Sequence, residues 1–478
     1  MKFIVLFLYF FVSFLFAAPP EALENSLFQI EVSDSSKNSF LKLKGVLYDS
    51  LTVTKIKGRN ANNVRHIDNE AIVSLQFLGA LTDKFHFQGD VRVANDKTNR
   101  DFIYPHSYEP YEGYPYNKQS NSTRTWDDFR LSLDYKLPFV KLYAGIDYLQ
   151  IGTAKRNNVI LRGDKNIYRP WQDSSYLLNR PAPTPYFGYE FKIGPLTYSQ
   201  YVAKLYHRKN LNKYMHTHRL EAKLPWNITL GLSEIVLYGT TVENDSLNIN
   251  PDADSTGRTF EWSYVIPFIP YAFEEHFHGD KDNNALALDF RVKTLRHFEF
   301  YGEFYIDDMK SPTDIFDDSW WGNKWAATLG VETNHNIRDF LFTWNLEYTR
   351  IEPWVYTHHK GAGYTYTNYA QSLGSDLGPN AKEIYASLSV FWKIFDLKLF
   401  VSNVFKDTAF SSDIFDIHTP LDRTDKTYLK DATTFQYLET GFELTVFPAD
   451  WFYMHVFISE YFADYKGYRL GASGGIAF

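Results

Sequence analysis

From about Leu41 to Phe478 the chain is built of short runs with a period of two. After residue 20 no apolar run approaches the roughly 20 residues that a membrane helix needs. Together these features constrain the fold more than anything else in the sequence. In the last run, GYRLGASGGIAF (467–478), Tyr468, Leu470, Ile476 and Phe478 share one face with Ala472 and Gly474. Arg469 and Ser473 lie on the other face among Gly and Ala. In FRLSLDYK, Phe129, Leu131, Leu133 and Tyr135 oppose Arg130, Ser132, Asp134 and Lys136. FEFYGEFYID (298–307) and YLETGFELTVF (437–447) behave the same way. Alternation of this kind is a strand signal, because successive side chains leave a sheet on opposite sides.

Similar runs begin near Leu41, Ala71, Phe85, Val140, Tyr189, Tyr198, His218, Ile228, Leu286, Ala327, Leu341, Tyr385, Leu397 and Phe452. The total is roughly eighteen segments of about ten residues, the length of a tilted transmembrane strand. The pattern therefore predicts an all-β fold: one antiparallel transmembrane barrel of eighteen strands, with sixteen as the alternative and short helical elements in its links. A soluble array such as a propeller would show a blade-length repeat, and none is found. Links are unequal. LPFV (137–140) and DLK (396–398) are short, whereas 95–125, 156–185, 240–284 and 402–436 are long. Barrels pair short periplasmic turns with long outer loops. The 156–185 segment is a candidate plug.

The first residues, MKFIVLFLYFFVSFLFAAPP, combine Lys2, an uncharged apolar core and small residues at Ala17 and Ala18, as a secretory signal peptide does. The expected division is a signal peptide at 1–18, a periplasmic arm at 19–38 and the barrel at 39–478. The chain has no cysteine, which removes disulfides, thiolate metal sites and a lipoprotein anchor. Aromatic residues make up 18% of it, more than a soluble domain usually carries, and barrels place rings in girdles and loops. A net charge of −8 argues against a nucleic-acid partner.

The alternation assigns His218, Arg219, Glu221, Glu234, Glu299, Glu303 and Asp307 to a polar network in the lumen. Glu234 follows Leu230 and Leu232 on one face, where a carboxylate would meet lipid. A β-bulge at Ser233 or Glu234 is expected to turn it inward, toward His218 or Arg219. Glu299, Glu303 and Asp307 could do acid–base work as glycosidase carboxylates do, but a charged lumen wall is the commoner use. No nucleophile elbow, HExxH or P-loop is present. His358 and His359 are adjacent and point apart on a strand, a poor chelate. No cofactor, metal or catalytic residue is assigned.

The succession HRLE (218–221), GLSE (231–234) with YG (238–239), YGE (301–303) with DD (307–308), and YTNYAQSLGSDLGPN (366–380) resembles the capsule-assembly Wzi family. So does LLNRPAPTPYFGYEFKIGPLTYSQYVAKL (177–205). The resemblance runs from about residue 140 to 391. It implies an eighteen-stranded outer-membrane barrel with a periplasmic helical element, a lectin-like hold on exported polysaccharide, and no catalysis. The 19–37 arm is too short for a helical bundle, a departure from that pattern.

The loop at 95–125 carries Tyr104, Tyr108, Tyr111, Tyr114 and Tyr116. Tyrosine offers a flat face for sugar C–H groups and a hydroxyl for theirs. Arg100 and Arg124 could pair with uronic-acid carboxylates. Tyr364, Tyr366 and Tyr369 flank the turn-forming GSDLGPN (374–380) and join this candidate polysaccharide surface. The expected partners are surface polysaccharide, outer-membrane lipid and the barrel-assembly machinery, which a terminal Phe addresses; the expected state is a monomer. A diffusion porin is the alternative, and a lumen enzyme a third reading.

Overall fold

A computed structural model describes residues 30–34, 39–58, 63–99, 116–120, 123–171, 182–206, 212–240, 258–277, 279, 281–293, 295–361, 363–369, 371–430 and 432–478. Eighteen antiparallel strands form a closed ring. They are β1 (Ser39–Lys57), β2 (Asn63–Ala80), β3 (Phe85–Thr98), β4 (Thr123–Lys136), β5 (Val140–Asp147), β6 (Thr184–Ile193), β7 (Leu196–Leu205), β8 (Lys213–Leu224) and β9 (Ile228–Gly239). They continue as β10 (Asn283–Val292), β11 (Phe298–Asp308), β12 (Lys324–Ile337), β13 (Phe340–Ile351), β14 (Ala381–Trp392), β15 (Phe395–Lys406), β16 (Phe435–Ala449), β17 (Phe452–Ala463) and β18 (Lys466–Ala477). Each of the alternating runs read from the sequence falls in one of these strands.

Each strand pairs with its neighbour in sequence, and β18 closes on β1 from Val46↔Ala477 to Lys57↔Lys466. Phe478 completes the seam: its N–H donates to the Gly45 carbonyl at 2.9 Å, and Gly45 donates back. A side chain on Gly45 would collide with the Phe478 ring, so the glycine makes room for that ring. Closure leaves no unpaired edge, which the interior of a bilayer would not tolerate. The small inward residues of β18 are explained by β17. Phe457 leans over Gly471, and Tyr453 packs in a cluster with Val46 and Ala477.

The links separate by length. The even-to-odd links after β2, such as 194–195, 338–339 and 393–394, are short and lie at one end, while the odd-to-even links at the other end include all the long ones. DLK (396–398) belongs to β15 rather than to a turn, which is 393–394. The outward residues of each strand present an apolar belt, with Val91, Leu230, Leu288, Trp344, Leu346 and Ile458 all exposed. A hydrophobic surface that encircles a closed barrel is the lipid-facing band of a transmembrane one. Among the described residues no helix is long and apolar enough to cross a membrane. The one α-helix described, α1, spans Tyr271–Phe277. Within the arm, Ile30–Asp34 pairs with Ser39–Leu43 of β1.

Candidate functional site

The lumen is filled by two of the long links. The link after β5 enters it as a tight segment, 150–171, held by a small hairpin between Gln150–Ile151 and Leu161–Arg162. Backbone N–H groups here point away from any ladder, and buried ones need acceptors. Three inward glutamates supply them. Glu303 on β11 accepts from Thr153 and Ala154 at 2.6 Å each with one oxygen, and from Val159 at 2.8 Å with the other. Glu347 on β13 accepts from Lys155, Arg156 and Asn157 at 2.6–3.0 Å. Glu383 on β14 accepts from the Arg156 and Asn157 side chains and pairs with Arg169 at 2.8 Å. Gly152 has φ +119°, and a Cβ there would overlap the Glu303 carboxylate, so glycine is required twice over.

The second filling segment is the link after β13, 352–380. Asp307 on β11 accepts the Tyr356 N–H at 2.8 Å. The Tyr356 and Tyr366 hydroxyls donate to the Val159 and Ile160 carbonyls, both at 2.8 Å, and so stitch the two segments together. Asp376 in this link accepts from the Ile167 N–H and pairs with Arg169. Burial alone would lower the Arg169 guanidinium; Glu383 and Asp376 outweigh it and hold Arg169 well above the ordinary arginine range. Toward the short-turn end a cavity of about 500 Å³ remains under the plug. Its lining includes His86, Asp134, Lys141, Tyr143, Tyr186 and Tyr201, a mixture of ring faces and charge suited to a small polar guest. At the other end the links 309–323, 352–361 and 407–430 interlock. There Trp321 stacks on His418 at 3.7 Å, and Lys426 pairs with Glu352 at 3.1 Å.

This chain is similar in fold to Wzi. That protein, from Escherichia coli, is an outer-membrane protein involved in group 1 capsule assembly and a carbohydrate-binding β-barrel. The two are 14% identical, the match covers 91% of this chain and 84% of Wzi, and the TM-score is 0.53. OpdK, an outer-membrane protein of Pseudomonas aeruginosa, is 9% identical, with 91% and 99% covered and a TM-score of 0.46. OccK2 (OpdF) of the same organism, solved with glucuronate, is 9% identical, with 91% and 96% covered and a TM-score of 0.46. No protein-family model matches the sequence, and no curated protein does.

The sequence-predicted residues divide into several groups. Arg219 points into the lumen between Asp289 and Glu221. Glu299 lies there among Lys155, Arg291 and Lys293. Glu303 and Asp307 hold the plug segments. Arg124 is buried and paired with Asp96 at 2.7 Å. Tyr364 and Tyr366 are buried in the second filling segment, while Tyr369 stacks on Tyr206 at 4.6 Å. Arg100, Tyr104, Tyr108, Tyr111 and Tyr114 lie outside the described residues. Tyr116 starts a short strand that pairs with β4. Glu347 and Glu383 lie outside the sequence-predicted set; both sit at inward positions of alternating runs, and that alternation is the signal for them.

Glu234 and His218 require correction. Both ladders of β9 run without a register shift past Glu234, which pairs with His218 and Leu286. There is no bulge, so Glu234 stays on the outer wall with Leu230 and Leu232. It is not left to lipid, because the link after β9 folds back over the outside of the barrel. Glu234 bonds His218 at 2.6 Å and accepts the Tyr271 N–H at 2.9 Å. The cost that a bulge was expected to avoid is met by a cover.

Proposed function

We propose that this chain is an outer-membrane barrel of a Gram-negative bacterium that binds exported capsular or extracellular polysaccharide and helps hold it at the cell surface. The observation that carries this reading is the occupied lumen: one long link is anchored inside it by glutamates on three strands, and a second by Asp307. A barrel stopped in this way is a rigid platform for surface loops rather than a wide aqueous path. The likeness in fold to Wzi, a carbohydrate-binding barrel, supports the same reading. The binding surface would be the tyrosine-rich link after β3 (99–122) with the aromatic links beside it, stacking on sugar faces and pairing acidic groups through Arg100.

The test uses cells that make a surface polysaccharide. Deleting residues 101–115 should release the polysaccharide into the medium while the barrel still inserts, and the purified protein should retain the native polysaccharide in a pull-down. Unchanged retention would refute the reading. In planar bilayers the wild-type protein should pass little current; steady conductance would favour the diffusion porin instead.

A further inference from the structure

The link after β9 lies against the outer wall, at a depth where other barrels meet lipid. It descends through residues 258–266, reverses at Pro267–Pro270 with Phe268 at φ +68°, and climbs back as α1. Its path is fixed by wall residues that face outward. Near the top Arg258 pairs with Asp282 at 2.6 Å, and the Glu261 N–H donates to the Tyr238 hydroxyl at 2.8 Å. Gln200 donates to the Tyr264 carbonyl at 2.6 Å, and the Tyr189 hydroxyl to the Val265 carbonyl at 3.0 Å. Lower down, Phe268 packs on Tyr198 with ring centroids 4.5 Å apart, and α1 begins on Glu234 and His218.

The register gives the depth. Phe191, Tyr198, Leu220, Leu232 and Leu288 form one continuous row of paired residues across β6–β10. Its leucines are 41–47% exposed and belong to the apolar belt. Phe268 rests on that row, so the turn of the link reaches the lipid-facing band. The outward surface of the link matches this depth. Trp262, Ile266, Phe268, Phe273 and Phe277 are all exposed, with Phe273 at 63% and Phe277 at 87%, whereas Glu275 of α1 is turned in and buried. A row of exposed rings and Ile on a segment bonded to the wall through Glu261, Tyr264, Val265 and Tyr271 has the chemistry of a lipid contact.

We infer that residues 258–277 form a lipid-immersed strap whose outer face binds acyl chains, sealing a polar patch of the barrel's outer wall. The strap replaces lipid over the part of β6–β9 that lies above Leu220 and Leu232, and this is why Glu234, His216 and His218 can stand on that side. The inference depends on the barrel lying in a bilayer, not on any glycan.

The chain has no cysteine, so single nitroxide labels can be placed cleanly. Phe268→Cys and Phe273→Cys, each labelled and reconstituted in phosphatidylcholine vesicles, are compared with Leu232→Cys on the open belt. Leu421→Cys, in the link after β15 and 97% exposed, serves as the water reference. Both strap labels should collide several-fold more with oxygen than with a water-soluble nickel chelate, as Leu232→Cys does. Strap labels that behave like Leu421→Cys would overturn the inference. So would strap labels shielded from both agents, since the occupant would then be protein. A water-type signal at Leu232→Cys would defeat the membrane reading itself, and the strap with it.

Discussion

Links fold back onto both walls of this barrel, and those inside are anchored by different chemistry from the one outside. Inside, Glu303, Glu347 and Glu383 each collect several donors, and Arg169 and Arg156 enter the same network. Outside, the wall offers mainly tyrosine hydroxyls and the Gln200 amide, with Glu234 as a carboxylate that takes two donors, His218 and the Tyr271 N–H, through a single oxygen. The difference follows from the surroundings. A lumen segment is bordered by polar side chains, and a buried carboxylate there is offset by the several N–H groups and guanidinium groups that match it. On the lipid side an unmatched charge has no water to fall back on, so hydrogen bonds between neutral groups are the cheaper anchor.

The comparison can be broken most severely from the inside. In Glu303→Ala with Glu347→Ala, six backbone N–H groups of the plug lose their acceptors. At about 1–3 kcal/mol for each group left unsatisfied, the segment should leave its site. Planar-bilayer recordings should then show large, fluctuating conductance from a barrel that still migrates as folded. A silent double variant would mean that the glutamates do not hold the plug. Gly152→Val should act in the same direction with a smaller effect, through the positive φ and the overlap with Glu303, costing about 1–3 kcal/mol. Hydrogen exchange over 150–162 should accelerate, with the barrel strands unchanged.

How much of this was legible in the sequence follows the same division. A period of two says which face a residue is on, and so the strands, their number and the inward positions of Arg219, Glu221, Glu299, Glu303 and Asp307 can be read from it. It does not say what covers a face. On alternation alone the outer wall reads as lipid-facing, and Glu234 then needs a bulge. Yet Tyr214, His216 and His218 alternate on β8 directly beside Glu234 and Tyr238 on β9. Hydrogen-bonding groups clustered at outward positions on neighbouring strands are the signal that something other than lipid lies there. The plug was legible only as a long segment. Its contacts join residues such as Asn157 and Glu383, far apart in the chain, and no local pattern encodes them.

The finest test sets one substitution against itself on the two walls. Glu303 uses both oxygens as acceptors, so in Glu303→Gln an amide NH2 must face a backbone N–H, and at least one donor goes unmatched. Glu234 uses one oxygen for both His218 and Tyr271, and a glutamine can present its carbonyl there. Glu303→Gln should therefore cost about 1–3 kcal/mol, read as faster exchange over 150–162. Glu234→Gln should cost under about 1 kcal/mol and leave exchange over 264–277 nearly unchanged. Glu234→Leu, which removes the acceptor altogether, should loosen the strap. If Glu234→Gln loosened it as much as Glu234→Leu, the outer wall would depend on charge after all, and the contrast between the two walls would fail.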